Sequence, residues 1–191
     1  MSLQAQAENL VRSGYEITVK TVILLKKIKE PGIVFVLNQE EPIISASTGQ
    51  FVGTKRRGFG LPGGKMHDNE LPTEGAIREV GHETGLAITV EDRDLLHVIL
   101  SGDNHAKIYY NGRDAKATNQ SGWVDHSRDK DFDPVPVEQA VVVPVEEIVA
   151  LYESGKEARI AAKEDSRMYP VYKSDLFVAY VRAKMFLEQG L

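Results

Sequence analysis

Two apolar, β-branched runs stand almost back to back near the start of the chain. They are ITVKTVILLKK (Ile17–Lys27) and GIVFVLNQ (Gly32–Gln39), with KEPG at the junction. Val and Ile suit the pleated, half-buried surface of a sheet, and Pro-Gly marks a turn, so the pair predicts two neighbouring strands forming a hairpin. EPIISASTGQFVGTKRRG then mixes a short strand with a Gly- and Ser-containing segment, and FGLPGG reads as a brief strand ending in a Pro-Gly-Gly turn. DLLHVIL, AKIYYNG and QAVVVPV read as further strands. Three stretches read as helices: ELPTEGAIREVGHETG, PVEEIVALYESG and SDLFVAYVRAKMFLEQG. Strands mixed with three helices predict an α/β (α+β) layered domain.

The first helix carries the most information. Pro72 or Thr73 can open it, and Gly85 can stop it in the left-handed conformation. Ala76, Ile77 and Val80 form its expected apolar stripe, with Glu79, His82 and Glu83 largely on another face. Gly75 and Gly81 each cost about 1 kcal/mol relative to Ala in a helix interior, so packing must hold this helix. Gly155 ends the second helix, and Ser174 is the expected N-cap of the last. Residues 2–13 read as a short helix or a frayed arm, with 1–14 set apart as an N-terminal arm. Residues 112–136 form a polar, turn-rich insertion loop of a length at which loops tend to be functional or disordered.

At 191 residues the chain is long enough to bury a real core, and it is expected to form a single domain over 1–191. Its 28 acidic against 23 basic residues leave a net charge of −5, which disfavours nucleic acid as a general partner. With no cysteine, disulfides and thiolate metal sites are excluded, and a reducing compartment is natural. MSLQAQAENL has neither a basic nor an apolar signal region, and runs such as TVILL are too short to span a bilayer. These features predict a soluble, cytoplasmic protein without a membrane partner.

Glu79 and Glu83 are spaced i, i+4, one helical turn apart, and His82 joins their patch. Two carboxylates stacked this way repel each other unless a positive charge lies between them. Arg78 is expected to point elsewhere, which leaves a hard divalent cation such as Mg²⁺ as the better neutraliser. Gly63 and Gly64 make a tight turn whose backbone can approach an ion or a phosphate. Glu70, eight residues before Arg78, can pair with it and lock loop to helix.

Together these residues define a resemblance. GKMHDNELPTEGAIREVGHETGL (Gly64–Leu86) resembles the Nudix box, G-x5-E-x7-R-E-U-x-E-E-x-G-U, where U is a bulky aliphatic residue. Gly64, Glu70, Arg78, Glu79, Val80, Glu83, Gly85 and Leu86 fall in register. If each of the six fixed residue types occurs at roughly 7%, chance agreement is on the order of 10⁻⁷ per starting position. The resemblance implies a Nudix-type α/β/α sandwich with a mixed sheet between helices. It implies metal-dependent hydrolysis of a diphosphate linkage in a nucleoside diphosphate derivative, of the nucleotide sugar, ADP-ribose or nucleoside triphosphate class. Carried over by position, Glu79 and Glu83 are metal ligands for Mg²⁺ or Mn²⁺, the Gly63 carbonyl is a further ligand, and Glu70–Arg78 is a structural bridge. The implied partner is a small nucleotide substrate, with a homodimer left open.

His82 departs from the pattern, standing at the first position of the E-E pair. Imidazole is a softer ligand, better suited to Mn²⁺ than to Mg²⁺. Three readings stay open: a nitrogen ligand, a bystander in an active enzyme, or the mark of a nucleotide-binding module that hydrolyses weakly. A fourth possibility, removal of pyrophosphate from RNA 5′ ends, is disfavoured by the net charge but kept open by KRRG. Outside the box, Arg56, Arg57 and Lys65 are candidate phosphate contacts, Arg through its bidentate fork, with Lys55 beside them. Glu138, Asp125, Asp129 and Asp131 are candidates for an extra base or ligand. Trp123 is a candidate base-stacker or packing residue. Tyr109 and Tyr110 read as core residues, and His67, His97 and His105 show no ligand spacing. His126, beside Asp125, is a candidate loop acid–base.

Overall fold

The computed structural model describes residues 2–26, 30–45, 48–101, 104–117, 137–162 and 166–190. Helix α1 (Leu3–Arg12) precedes strands β1 (Glu16–Leu25), β2 (Gly32–Asn38), β3 (Glu41–Ile44), β4 (Phe51–Lys55) and β5 (Gly58–Gly60). Helix α2 (Pro72–Thr84) follows, then β6 (Leu86–Thr89), a 3₁₀ turn (Asp92–Asp94), β7 (Leu95–Leu100) and β8 (His105–Ala117). The chain continues through β9 (Val137–Pro144), α3 (Val145–Glu153), β10 (Arg159–Ala161), β11 (Met168–Pro170) and α4 (Lys173–Gln189). This is an α+β fold, with four α-helices among the described residues where three were expected. It forms two compact units.

The first unit comprises Met1–Thr21, Ala46–Gly49 and Pro62–Val135. Its sheet is built on β8, which pairs antiparallel with β7 over Leu95↔Tyr110 to Leu100↔Ala106 and with β6 over Leu86↔Ala117 to Thr89↔Arg113. Residues 112–117 therefore belong to a strand rather than to the expected loop; the rest of that loop, with Trp123, Asp125, His126, Asp129 and Asp131, lies outside the described residues. Helix α1 packs against β7 and α2 against β6. Of the two readings of residues 2–13, a short helix or a frayed arm, the structure has the helix: Ala7 and Leu10 are buried, and Ser2 Oγ caps it by accepting the Ala5 N–H at 3.2 Å. Tyr109 and Tyr110 are buried as expected, and burial pushes the Tyr110 phenol well above its usual range.

Within α2 the expected faces are partly exchanged. Ala76 and Val80 are buried, but Ile77 is exposed, while Glu79 and Glu83 are only 5% and 9% exposed. Two carboxylates on the inner side of a helix need partners.

The second unit comprises Val22–Ser45, Gln50–Leu61 and Pro136–Leu191. Strand β2 is its centre and is buried along its whole length. Strand β9 pairs with one edge from Gly32↔Pro144 to Asn38↔Val137. The end of β1 (Leu24↔Ile33) and β5 (Val36↔Gly60) share the other edge, so the predicted β1–β2 hairpin is present. β3 and β4 pair as a separate ribbon, as do β10 and β11. Helix α3 packs on α4 and on β9. Helix α4 starts at Lys173 with Tyr172 at the cap position, so Ser174 lies inside the first turn and is not the N-cap. Its hydroxyl meets the adjacent Asp175 carboxylate instead, at 3.3 Å. That carboxylate, fully buried, accepts the Leu61 N–H at 3.0 Å, a tie that fixes the start of α4 without a side-chain cap. Among the described residues no helix is long and apolar enough to cross a membrane.

Candidate active site

The site grows from the Pro-Gly-Gly turn, held flat against β1. Val19 N–H donates to Gly64 O at 2.9 Å, Thr21 N–H to Pro62 O at 2.8 Å, and Met66 N–H to Ile17 O at 2.9 Å. The approach is so close that a Cβ on Gly63 would lie 2.0 Å from Val19 O, and Gly63 has φ of +140°. Only glycine fits there. A Cβ on Gly64 would lie 2.6 Å from Glu79 Oε1, so the second glycine makes room for a carboxylate.

Helix α2 brings its acids to that turn. Pro72 occupies its first position, the Glu74 carboxylate accepts the Leu71 N–H at 3.0 Å, and Gly85 closes it with φ of +67°. Glu83 Oε2 accepts the Gly63 N–H at 2.7 Å, and Glu79 lies against Gly64. Glu79 and Glu83 thus meet successive residues of one turn.

Arg78 joins helix to loop. Its Nε donates to Glu70 Oε1 at 2.7 Å and its Nη2 to Glu70 Oε2 at 3.0 Å, a bidentate pair. Nη2 also donates to the Lys65 carbonyl at 3.0 Å, and the His67 N–H donates to Glu70 Oε2 at 2.9 Å. Burial alone would raise the Glu70 carboxyl, but Arg78 and the His67 N–H together bring it below the usual carboxylate range. Arg78 does not point away from the glutamates as its sequence neighbourhood suggested: Nη1 donates to Glu79 Oε1 at 2.6 Å. A long guanidinium folded back along the helix reaches both neighbours despite the i, i+1 spacing, and Arg78 is held charged by Glu70 above all. Glu79 shifts the other way. Burial raises its carboxyl, and Arg78 and Lys20 only partly oppose that.

Lys20 is the residue that no motif announced. It lies on β1 at 6% exposure, and its Nζ donates to the Gly63 carbonyl at 2.7 Å. Its signal in the sequence was a single lysine inside the otherwise uncharged ITVKTVILL. Counted formally, the carboxylates of Glu70, Glu79 and Glu83 against the cations of Arg78 and Lys20 around this turn leave one net negative charge.

The other expected residues fall as follows. His82 is half-buried in the last turn of α2. Among the described residues no three His, Asp or Glu side chains gather into a ready-made metal cluster. Lys65 is largely exposed and pairs with Glu16 at 3.0 Å. Arg56 and Arg57 belong to the second unit, where the Arg56 carbonyl accepts the Tyr172 hydroxyl at 2.9 Å and the Arg57 guanidinium lies over the Tyr169 ring at 4.6 Å. Glu138 lies in β9. His105 Nε2 shares a 2.8 Å hydrogen bond with Thr18 Oγ1, and burial lowers its imidazole.

A model of the NUDIX domain matches residues 30–165. Solved structures share the fold at low identity. One described as ADP compounds hydrolase has 13% identity and a TM-score of 0.52, covering 92% of this chain and 75% of that one. A NUDIX-family hydrolase from Clostridium perfringens has 16% identity and a TM-score of 0.52, covering 90% and 97%. One described as UDP-X diphosphatase has 15% identity and a TM-score of 0.50, covering 100% and 72%. No curated protein matches the chain. The chain belongs to the NUDIX family, and is a pyrophosphohydrolase by that membership. Members of this family act on small nucleotides and generally use divalent metal ions.

Proposed function

We propose that the protein hydrolyses the diphosphate linkage of a nucleoside diphosphate derivative, with Mg²⁺ or Mn²⁺ held by Glu79 and Glu83. The observation that carries this reading is the convergence of two buried carboxylates on the Gly63–Gly64 turn. Oxygen donors suit a hard cation, and the net negative charge of the cluster suits it electrostatically. His82 is read as a neighbour of the ligand pair. When bound, the ion would neutralise diphosphate charge and lower the pKa of an attacking water.

The chain's own residues do the positioning. The Glu70–Arg78 pair clamps the loop on the helix, so Glu79 keeps its place against Gly64. The Gly63 N–H fixes the Glu83 carboxylate. Strand β1 keeps the turn from moving away from either acid. Lys65, next in sequence to the Gly63–Gly64 turn, is the candidate phosphate contact of this unit.

A second reading, a module that binds nucleotides and hydrolyses them weakly, is favoured by one observation: protein cations already occupy the Gly63 carbonyl and Glu79. Phosphate release with Mn²⁺ across ADP-linked, UDP-linked and triphosphate nucleotides separates the two. The enzyme reading expects a drop of roughly 10²-fold or more in kcat for Glu83→Gln on the best substrate. Equal rates for wild type and variant on every nucleotide would sink it. Tight nucleotide binding without turnover would establish the second reading instead.

A further inference from the structure

Lys20 has a chemistry that the proposed reaction does not use. A buried ammonium persists only where it is paired or hydrogen-bonded, and here one of its partners is the backbone oxygen expected to serve a metal. The β1 ladder takes the carbonyls of Pro62 and Gly64, which leaves the Gly63 carbonyl outside the ladder. Lys20, on the β1 residue between the two ladder donors, bonds that carbonyl. The ladder bonds on either side anchor the turn, and the Gly63 backbone packs closely on Val19. The same ammonium acts electrostatically on Glu79.

We infer that Lys20 is a built-in monocation of the site, seated on the Gly63 carbonyl in competition with a divalent ion. A carbonyl oxygen has two lone pairs, but an ion on the second would lie within a few ångströms of the ammonium, and like charges at that range oppose each other. The glutamate pair is then left to hold the ion without the backbone ligand. It binds weakly in the nucleotide-free protein and gains its remaining oxygens from the diphosphate. Lys20 is thus a residue that sets metal affinity and makes loading depend on substrate. Its low exposure leaves little reach for a direct phosphate contact, the other role a lysine here could take.

This inference rests on the proposal that Glu79 and Glu83 hold the ion, and the experiment separates the two. Free Mn²⁺ is counted by electron paramagnetic resonance during titration of the full, nucleotide-free chain as wild type, Lys20→Met, Lys20→Gln, Lys20→Arg and Glu79→Gln. The two neutral variants are expected to bind Mn²⁺ roughly ten- to hundredfold more tightly than wild type, the size of effect neighbouring groups exert on metal sites. Lys20→Arg, which keeps the charge, is expected to bind as weakly as wild type. Far-ultraviolet circular dichroism checks that each variant is folded, and if Lys20→Met is not, Lys20→Gln decides. Equal or weaker Mn²⁺ binding in the neutral variants, or tightening in Lys20→Arg, overturns the inference. Binding unaffected by Glu79→Gln overturns the metal assignment itself, and the lysine inference with it.

Discussion

Glu70 shows how one residue couples the site to the stability of its surroundings. Its carboxylate accepts both forks of Arg78 and the His67 N–H, and its pKa in the folded protein is lowered from about 4.5. For a carboxyl depressed by folding, the stabilisation is fully present above the unfolded value and is lost as pH falls through the folded one. Wild type is therefore expected to lose stability progressively below about pH 4.5. Glu70→Gln keeps the shape but weakens the charged hydrogen bonds, and should cost roughly 1–3 kcal/mol at neutral pH. Urea denaturation at neutral pH and at successively lower pH checks both points. The gap between wild type and variant should narrow on acidification, and a gap that widened would show that Glu70 is not the group responsible.

Helix α2 shows the same selectivity at the level of an element. Both of its interior glycines weaken it by propensity, yet only one has a structural reason. A Cβ on Gly75 would lie 2.9 Å from Glu70 Oε2, whereas one on Gly81 would meet nothing within 4 Å. Gly81→Ala is expected to stabilise the protein by about 0.5–1 kcal/mol, and Gly75→Ala to destabilise it by displacing Glu70 from Arg78. Thermal melts of the two single variants give opposite signs, and a shared sign would refute this account of the helix. The residues that define the element were legible because they act over short sequence distances: Pro72 opens it, Gly85 stops it, and Glu70 pairs with Arg78 eight residues on. What escaped depended on partners that spacing does not encode. Arg78 reaches Glu79 by folding a long side chain across an unfavourable i, i+1 step. Lys20 meets Gly63 across 43 residues, through a strand ladder that exists only once the chain has folded. Ser174 failed as a cap because Asp175 and Leu61 fix the start of α4 from within the fold.

For the whole molecule, the matched domain span, residues 30–165, does not contain everything the site uses. Val19, Lys20 and Thr21 precede it, and they supply the ladder that holds the Gly63–Gly64 turn and the ammonium on it. The ion site proposed here exists only when β1, the turn and α2 are assembled, so an unfolded chain should bind the ion far more weakly. Binding to the folded state alone stabilises it by RT ln(1 + [L]/Kd), about 2.7 kcal/mol at a hundredfold excess over Kd. For a chain of this size that corresponds to a rise of roughly 5–10 °C in Tm. The rise should grow with the logarithm of the Mn²⁺ concentration, reverse on chelation, and shrink sharply in Glu79→Gln. Adding a non-hydrolysable nucleoside diphosphate analogue should increase it beyond the sum of the separate shifts, because ion and diphosphate complete one another's coordination. Strictly additive shifts, measured by calorimetry on the same samples, would mean that ion and nucleotide bind at independent places.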